Sequence, residues 1–182
     1  MAATAAVLAA RPSVPGEVVV EAGCWYGGST AKLSLLCALQ GFKLCIFDSF
    51  RGVEPMKPEP GAHDYSGEYS ASEELVRSHV MRFGHLPVCE FYPGWFADTL
   101  AKDPITRPVR MVYIDCDVVK GTQEVLCGVR SSLVADAVIF SQDFHIKPVR
   151  RYLVSDEAWG ERMPTITIHA RRLVSFKWDS NR

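Results

Sequence analysis

Five carboxylates stand where apolar runs of the 182-residue sequence give out: Glu21 after "VVV", Asp48 after "KLCIF", Asp115 and Asp117 in "VYIDCD", and Asp143 in "VIFSQD". Acids gathered on one rim are costly unless hydroxyls, a cation or a metal meets them. Between the first two lies "EAGCWYGGST", where Gly23, Gly27 and Gly28 let the backbone approach a ligand closely. Glu21 and Asp48 can then accept hydrogen bonds from that ligand's polar groups, while Asp117 or His145 is suited to take a proton.

These residues share a rim only if the elements before them are parallel strands. "EVVVEA" (17–22), "KLCIFD" (43–48), "VCEFYPG" (88–94), "VRMVYIDCD" (109–117) and "ADAVIFSQD" (135–143) read as strands. Helical spacing separates them over 29–40, 71–84, 95–102, 122–133 and 147–159, with Thr122 read as a helix-start cap. "TITIHA" (165–170) and "RLVSFKW" (172–178) are close enough to form an edge hairpin. The expectation is one α/β domain over 1–182, with a doubly wound, mostly parallel seven-stranded sheet and a C-terminal antiparallel hairpin. Residues 1–15 read as a short tail or helix, and the polar, Pro/Gly-rich stretch 49–70 as a functional loop. Ligands of such sheets bind beyond the strands' carboxyl ends, at the topological switch.

Composition narrows the classes. A formal net charge of −1 gives no electrostatic case for nucleic acid or an anionic membrane surface. No eighteen-residue stretch lacks charge, so no membrane span is expected. "MAATAAVLAARP" has no basic leading region, and the chain is read as cytoplasmic. The six cysteines show neither CxxC pairs nor histidines at zinc spacing, and no disulfides are expected.

The glycine turn is spaced GxxxGG. Trp25 occupies the third position of the dinucleotide fingerprint GxGxxG, which makes a pyrophosphate contact of the nicotinamide type doubtful, and no P-loop motif occurs. The acid-x-G-x-x-x-G turn is similar to that of class I S-adenosylmethionine-dependent methyltransferases. "FDSFRG" (47–52), "YPGWFADTL" (92–100), "VYIDCDVVKGTQEVL" (112–126) and "VIFSQDF" (138–144) extend the likeness. Over roughly residues 16 to 150 the chain resembles the macrocin O-methyltransferase family, metal-dependent enzymes that methylate sugar hydroxyls in antibiotic biosynthesis.

The resemblance implies a Rossmann-like class I methyltransferase fold, S-adenosylmethionine as cofactor and a small-molecule acceptor. It implies that Glu21 and Gly23 lie under the methionine part, with Tyr26, Gly27, Gly28 and Ser29 around its carboxylate. Asp48 and Ser49 would meet the ribose, and Gly94 and Trp95 the adenine edge. Asp115 corresponds to a metal ligand that also borders the cofactor, and Asp117 to the proposed general base. The family closes its metal site with two adjacent aspartates, where this chain has Gln142 and Asp143. The neutral amide removes one negative charge, so magnesium dependence is expected to be weakened or lost.

His145 is an alternative base, with a partly exposed loop histidine as the equal rival. His63 and Tyr65 read as solvated, and Trp25 and Trp95 as either adenine-stacking or packed residues. A non-catalytic S-adenosylmethionine-binding protein, an N-methyltransferase and a nicotinamide oxidoreductase remain as rival functions. A second copy of the chain helping to close the rim is one expectation about assembly.

Overall fold

A computed structural model describes residues 1–57, 63–160 and 163–178. Seven strands form one sheet: β1 (Val18–Ala22), β2 (Lys43–Asp48), β3 (Cys89–Pro93), β4 (Val109–Ile114), β5 (Leu133–Ser141), β6 (Thr165–Ile168) and β7 (Val174–Lys177). Their order is β3-β2-β1-β4-β5-β7-β6. The first five are parallel, and β7 pairs antiparallel with both β5 and β6. The expected doubly wound sheet with its edge hairpin is thus present. Strand order reverses between β1 and β4, so the crevice lies beyond Ala22 and Ile114.

Helices α1 (Ala2–Ala9), α2 (Gly28–Gln40) and α3 (Glu73–Phe83) cover one face. Helices α4 (Val119–Val129), α5 (Lys147–Leu153) and α6 (Asp156–Trp159) cover the other. Strand alternation explains the two cores. Val18, Val20 and Ala22 point into the layer with Val125, Leu153 and Trp159, whereas Val19 points into the layer with Leu33, Val76 and Val80. Glu21 shares the parity of Val19, so its side chain is directed under α2 rather than outward.

At the opposite, amino-terminal end of the sheet, the buried Arg110 donates to the carbonyls of Asp136 and Val7, joining β4, β5 and α1. Arg11 bridges Glu17 and Asp136 beside it. All six cysteines are free thiols, and no helix among the described residues is long and apolar enough to cross a membrane.

Several boundaries differ from the sequence reading. Helix α4 begins at Val119, three residues before the expected start, because Gly121 permits close packing: a Cβ there would stand 3.2 Å from Cys116 Sγ. Thr122 is therefore no cap, and its hydroxyl donates to the Val118 carbonyl at 3.0 Å. Strand β4 stops at Ile114, so Asp115 and Asp117 lie on a turn. The expected helix 147–159 breaks at Val154 and Ser155, and the Trp159 indole donates to the Leu153 carbonyl at 2.7 Å across the break. The 95–102 helix is a single π-helical turn, Ala97–Ala101, closed by the Lys102 N–H on the Ala97 carbonyl at 3.0 Å.

Candidate active site

A cleft of about 420 Å³ opens beyond the carboxyl ends of β1, β2, β4 and β5. The glycine turn forms one wall, but its three glycines differ in kind. At Gly23, φ is +85° and a Cβ would fall 1.9 Å from the Asp115 carbonyl oxygen, so only glycine lets β1 and β4 end side by side. At Gly27, φ is +79° and a Cβ would meet Val76 Cγ1 of α3 at 2.9 Å. A Cβ at Gly28 would meet nothing within 4 Å. Of the three, only Gly23 lines the cleft; Tyr26, Gly27 and Gly28 border a separate shallow depression with His79 and Phe83.

Asp48, at the end of β2, holds the turn in shape. Its Oδ2 accepts from the Cys24 N–H at 2.7 Å and the Trp25 N–H at 3.4 Å, and its Oδ1 from the Phe50 N–H at 2.7 Å. An ionised carboxylate retains lone-pair capacity beyond these three bonds, and Asp48 borders the cleft. Ser49 borders it too, although its hydroxyl donates to the Gly52 carbonyl at 2.7 Å and accepts from the Arg51 N–H at 3.0 Å. Gly94 and Trp95 line the adjoining wall.

Glu21 corrects the sequence reading of an acid offered directly to a ligand. It is fully buried and absent from the cleft wall, because strand parity turns it under α2. Neither carboxylate oxygen has a hydrogen-bond partner among the described residues. Burial pushes its pKa up to about 7, and the neighbouring Ser29 and Thr30 hydroxyls, outside bonding geometry, offset this only in part.

The acids of β4 and β5 converge. Ligand oxygens of Asp115, Asp117 and Asp143 all lie within 4.8 Å of one another. A strand running through 109–117 would put Asp115 and Asp117 on one side, but the strand ends at Ile114 and Asp117 has φ +63°, so alternation does not set their directions. Asp143, buried at the end of β5, organises the turn instead: its Oδ2 accepts from the Cys116 N–H at 2.8 Å and the Asp117 N–H at 2.9 Å. Burial, then the charge of Asp143, raises the Asp117 pKa to about 7. Asp115 and Asp143 are both raised, each chiefly by burial. Three crowded carboxylates of raised proton affinity form an oxygen donor set that fits a hard divalent cation.

Gln142 borders the same cluster, but its Oε1 accepts from the Tyr113 hydroxyl at 3.2 Å. His145 also borders the cleft, and its Nδ1 is buried without a partner among the described residues.

The second loop supplies the outer wall. Tyr65, expected to be solvated, lines the cleft; His63 is exposed and pairs with Glu68 at 2.9 Å. Residues 58–62 of this loop lie outside the described residues. Trp25 stays 49% exposed and meets Tyr69 edge-on, with ring centroids 5.5 Å apart. Lys120 of α4 binds Glu54 of the loop at 2.7 Å. Tyr69, Glu54, Lys120 and Arg172 all line the cleft and were not singled out in the sequence: Lys120 lies within the 112–126 motif but was given no role, and the other three lie outside the motifs that carry the family resemblance. Only their distance from other charged and aromatic residues in the fold gives them meaning.

Comparison with known proteins agrees with this architecture. The profile of the family described as macrocin O-methyltransferase (TylF) matches residues 2–158. The chain is 30% identical over 166 residues to the 8-demethyl-8-(2,3-dimethoxy-alpha-L-rhamnosyl)-tetracenomycin-C 4'-O-methyltransferase of Streptomyces olivaceus, covering 79% of this chain and 61% of that one. It is 29% identical over 170 residues to the mycinamicin III 3''-O-methyltransferase of Micromonospora griseorubida, covering 82% and 66%. The chain thus spans less than two thirds of the length of these curated relatives. The fold is that of the O-methyltransferase NovP, with TM-score 0.74 at 23% identity over 91% of this chain and 73% of that one. The calicheamicin methyltransferase CalS11 superposes with TM-score 0.72 at 16% identity over 97% and 76%. A profile match across most of the chain, on a sheet whose acids converge at the β1–β4 crevice, leaves one assignment: the chain belongs to the macrocin O-methyltransferase (TylF) family.

Proposed function

We propose that this chain is an S-adenosylmethionine-dependent O-methyltransferase acting on a hydroxyl of a small natural-product or sugar acceptor. The observation that carries the reading is the convergence of Asp115, Asp117 and Asp143 beside the Gly23 turn, in a chain of this family. S-adenosylmethionine, when bound, supplies a methyl group made electrophilic by its sulfonium sulfur.

The chain's own residues have four tasks in this reading. Gly23 lets the ends of β1 and β4 lie side by side along the cleft wall, and Asp48 offers its remaining lone pairs to sugar hydroxyls. No side chain caps the amino terminus of α2, so its N–H groups, with Ser29, suit a carboxylate reaching past Gly23 towards the neighbouring depression bordered by Gly27 and Gly28. Trp25 and Trp95 offer aromatic faces along the wall, and the acids around Asp115 favour a cationic ligand. Asp117 takes the hydroxyl proton of the acceptor as its oxygen is methylated, so the carboxylate ends protonated.

Asp115 and Asp143 would hold a magnesium ion, with Gln142 beside them, and the ion would make an acceptor hydroxyl more acidic. Gln142 is neutral and its carbonyl is engaged by Tyr113, which supports a weakened rather than strict metal requirement.

Calorimetry with S-adenosylhomocysteine tests the reading, followed by methyl transfer from labelled S-adenosylmethionine to a panel of hydroxylated acceptors, with magnesium and with chelator. Binding and turnover are expected, and absence of S-adenosylhomocysteine binding overturns the proposal. Binding with no turnover across the panel would favour the non-catalytic reading, to which the Gln142–Tyr113 contact lends its one specific support.

A further inference from the structure

An acceptor that delivers a hydroxyl to Asp117 must rest the remainder of its body on whatever surrounds that carboxylate. Tyr65 and Tyr69 come from the second loop and Arg172 from the turn between β6 and β7, and all three line the cleft. Asp117 lines the same cleft, so the four side chains face one space.

The two tyrosines suit a ring. Their ring centroids are 6.4 Å apart at 30°, and Tyr69 continues to Trp25 at 5.5 Å. Both Tyr69 and Trp25 hold left-handed backbone, with φ +58° and +46°. For bulky residues this costs on the order of 1–3 kcal/mol, and such strain collects at binding sites. Tyr69 is still 43% exposed and lines the cleft, so part of its side chain is accessible to a ligand.

The cations of the cleft divide unequally. Lys120 is bound to Glu54 at 2.7 Å and lies 3.6 Å from Glu124. Among the described residues, no carboxylate lies within ion-pairing distance of Arg172, and none of its N–H groups has a hydrogen-bond partner. A guanidinium presents a planar fork that matches a carboxylate or phosphate with two parallel bonds. Among the described residues, the other charges acting on Asp117 are those of Asp143 and Glu68, so a ligand anion here has Arg172 as an uncommitted partner.

Building on the methyltransferase reading, the geometry points to an acceptor subsite between Tyr65, Tyr69 and Arg172 that takes a ring-bearing acceptor carrying an anionic oxygen group. The tyrosines hold the ring and Arg172 holds the anion, which sets the direction from which the hydroxyl meets Asp117.

The test uses the full chain saturated with S-adenosylhomocysteine and two matched probe pairs. One pair is 3,4-dihydroxybenzoate against 3,4-dihydroxybenzyl alcohol, and the other glucose 1-phosphate against methyl glucoside; they separate a carboxylate from a phosphate. At least one anionic member is expected to bind about tenfold more tightly than its neutral match. Arg172→Gln is expected to bring that ratio to within about twofold, and Arg172→Lys to retain part of it. S-adenosylhomocysteine binding reports that each variant is folded. Equal binding within both pairs, no binding of either anionic probe, or an unchanged ratio in Arg172→Gln overturns the inference while leaving the methyltransferase reading intact. Failure of S-adenosylhomocysteine itself to bind overturns that reading first, and the subsite with it.

Discussion

Asp117 and Gln142 show how single residues divide the chemistry of the cleft. Asp117 must be ionised to accept a proton, and its pKa is raised to about 7 by burial and Asp143. In metal-free protein, kcat/KM is therefore expected to rise with pH up to about 7 and level off above it, which a pH–rate profile measures. A fall across that interval would remove Asp117 as the base. In the proposed cation site Gln142 contributes no negative charge. Gln142→Asp is expected to tighten manganese binding, followed by electron paramagnetic resonance, by roughly tenfold. Glu21, Asp48, Asp115, Asp117 and Asp143 were all legible as candidates from their place after apolar runs. Which way each one points was not: Glu21 turns inward because β1 alternates, and Asp117 reaches its neighbours only through a left-handed turn.

Among the elements, the β1–α2 turn carries a graded prediction. Alanine at Gly23 collides with the Asp115 carbonyl, alanine at Gly27 crowds Val76, and alanine at Gly28 meets open space. Gly23→Ala should destabilise by on the order of 3 kcal/mol or more, and Gly27→Ala by about 1–2 kcal/mol. Gly28→Ala, at the first position of α2, should be neutral or stabilise by up to about 1 kcal/mol. Urea denaturation of the three variants orders them; equal effects would refute the geometry. The run of glycines in the sequence announced a tight turn, but it looked like a single ligand cradle. Strand order and the packing of α3 were needed to show that two of the glycines answer to protein neighbours. The apolar runs likewise located the strands, whereas some of their ends were misjudged, as after Ile114, where the strand stops before the acids.

Taken whole, the molecule places an unpaired acid at its centre. Glu21 rises from 4.5 to about 7 on folding, so the folded state binds the proton more tightly and stability is highest with the group protonated. That contribution is complete below about pH 4.5 and is lost as pH climbs towards 7, by roughly 3 kcal/mol at most. Glu17, Glu90 and Asp136 are shifted the other way, the first two chiefly by their arginine partners and Asp136 by Arg11 and Arg110 against burial. Their contribution fades as pH falls below the usual carboxylate range. Ligand-free protein should thus be most resistant to urea near about pH 5, and Glu21→Gln should make the decline between pH 5 and 8 shallower without abolishing it, because Asp115, Asp117 and Asp143 are raised as well. An equally steep decline in the variant would show that another group is responsible. The fold itself was readable from alternating strand and helix signals and two closely spaced final strands. The outer wall was not, because Tyr69 and Arg172 come from distant segments outside every motif of the resemblance, and the contact of Lys120 with Glu54 appears only once the second loop is folded onto α4.

The grip of Asp143 on the backbone after β4 has a consequence for anyone reshaping this protein. One carboxylate fixes two successive amides on the neighbouring segment, so residues 115–117 and 143 behave as a single casting. On the proposed subsite, alterations to acceptor choice belong in the 63–70 loop and the turn bearing Arg172, which take no part in that joint.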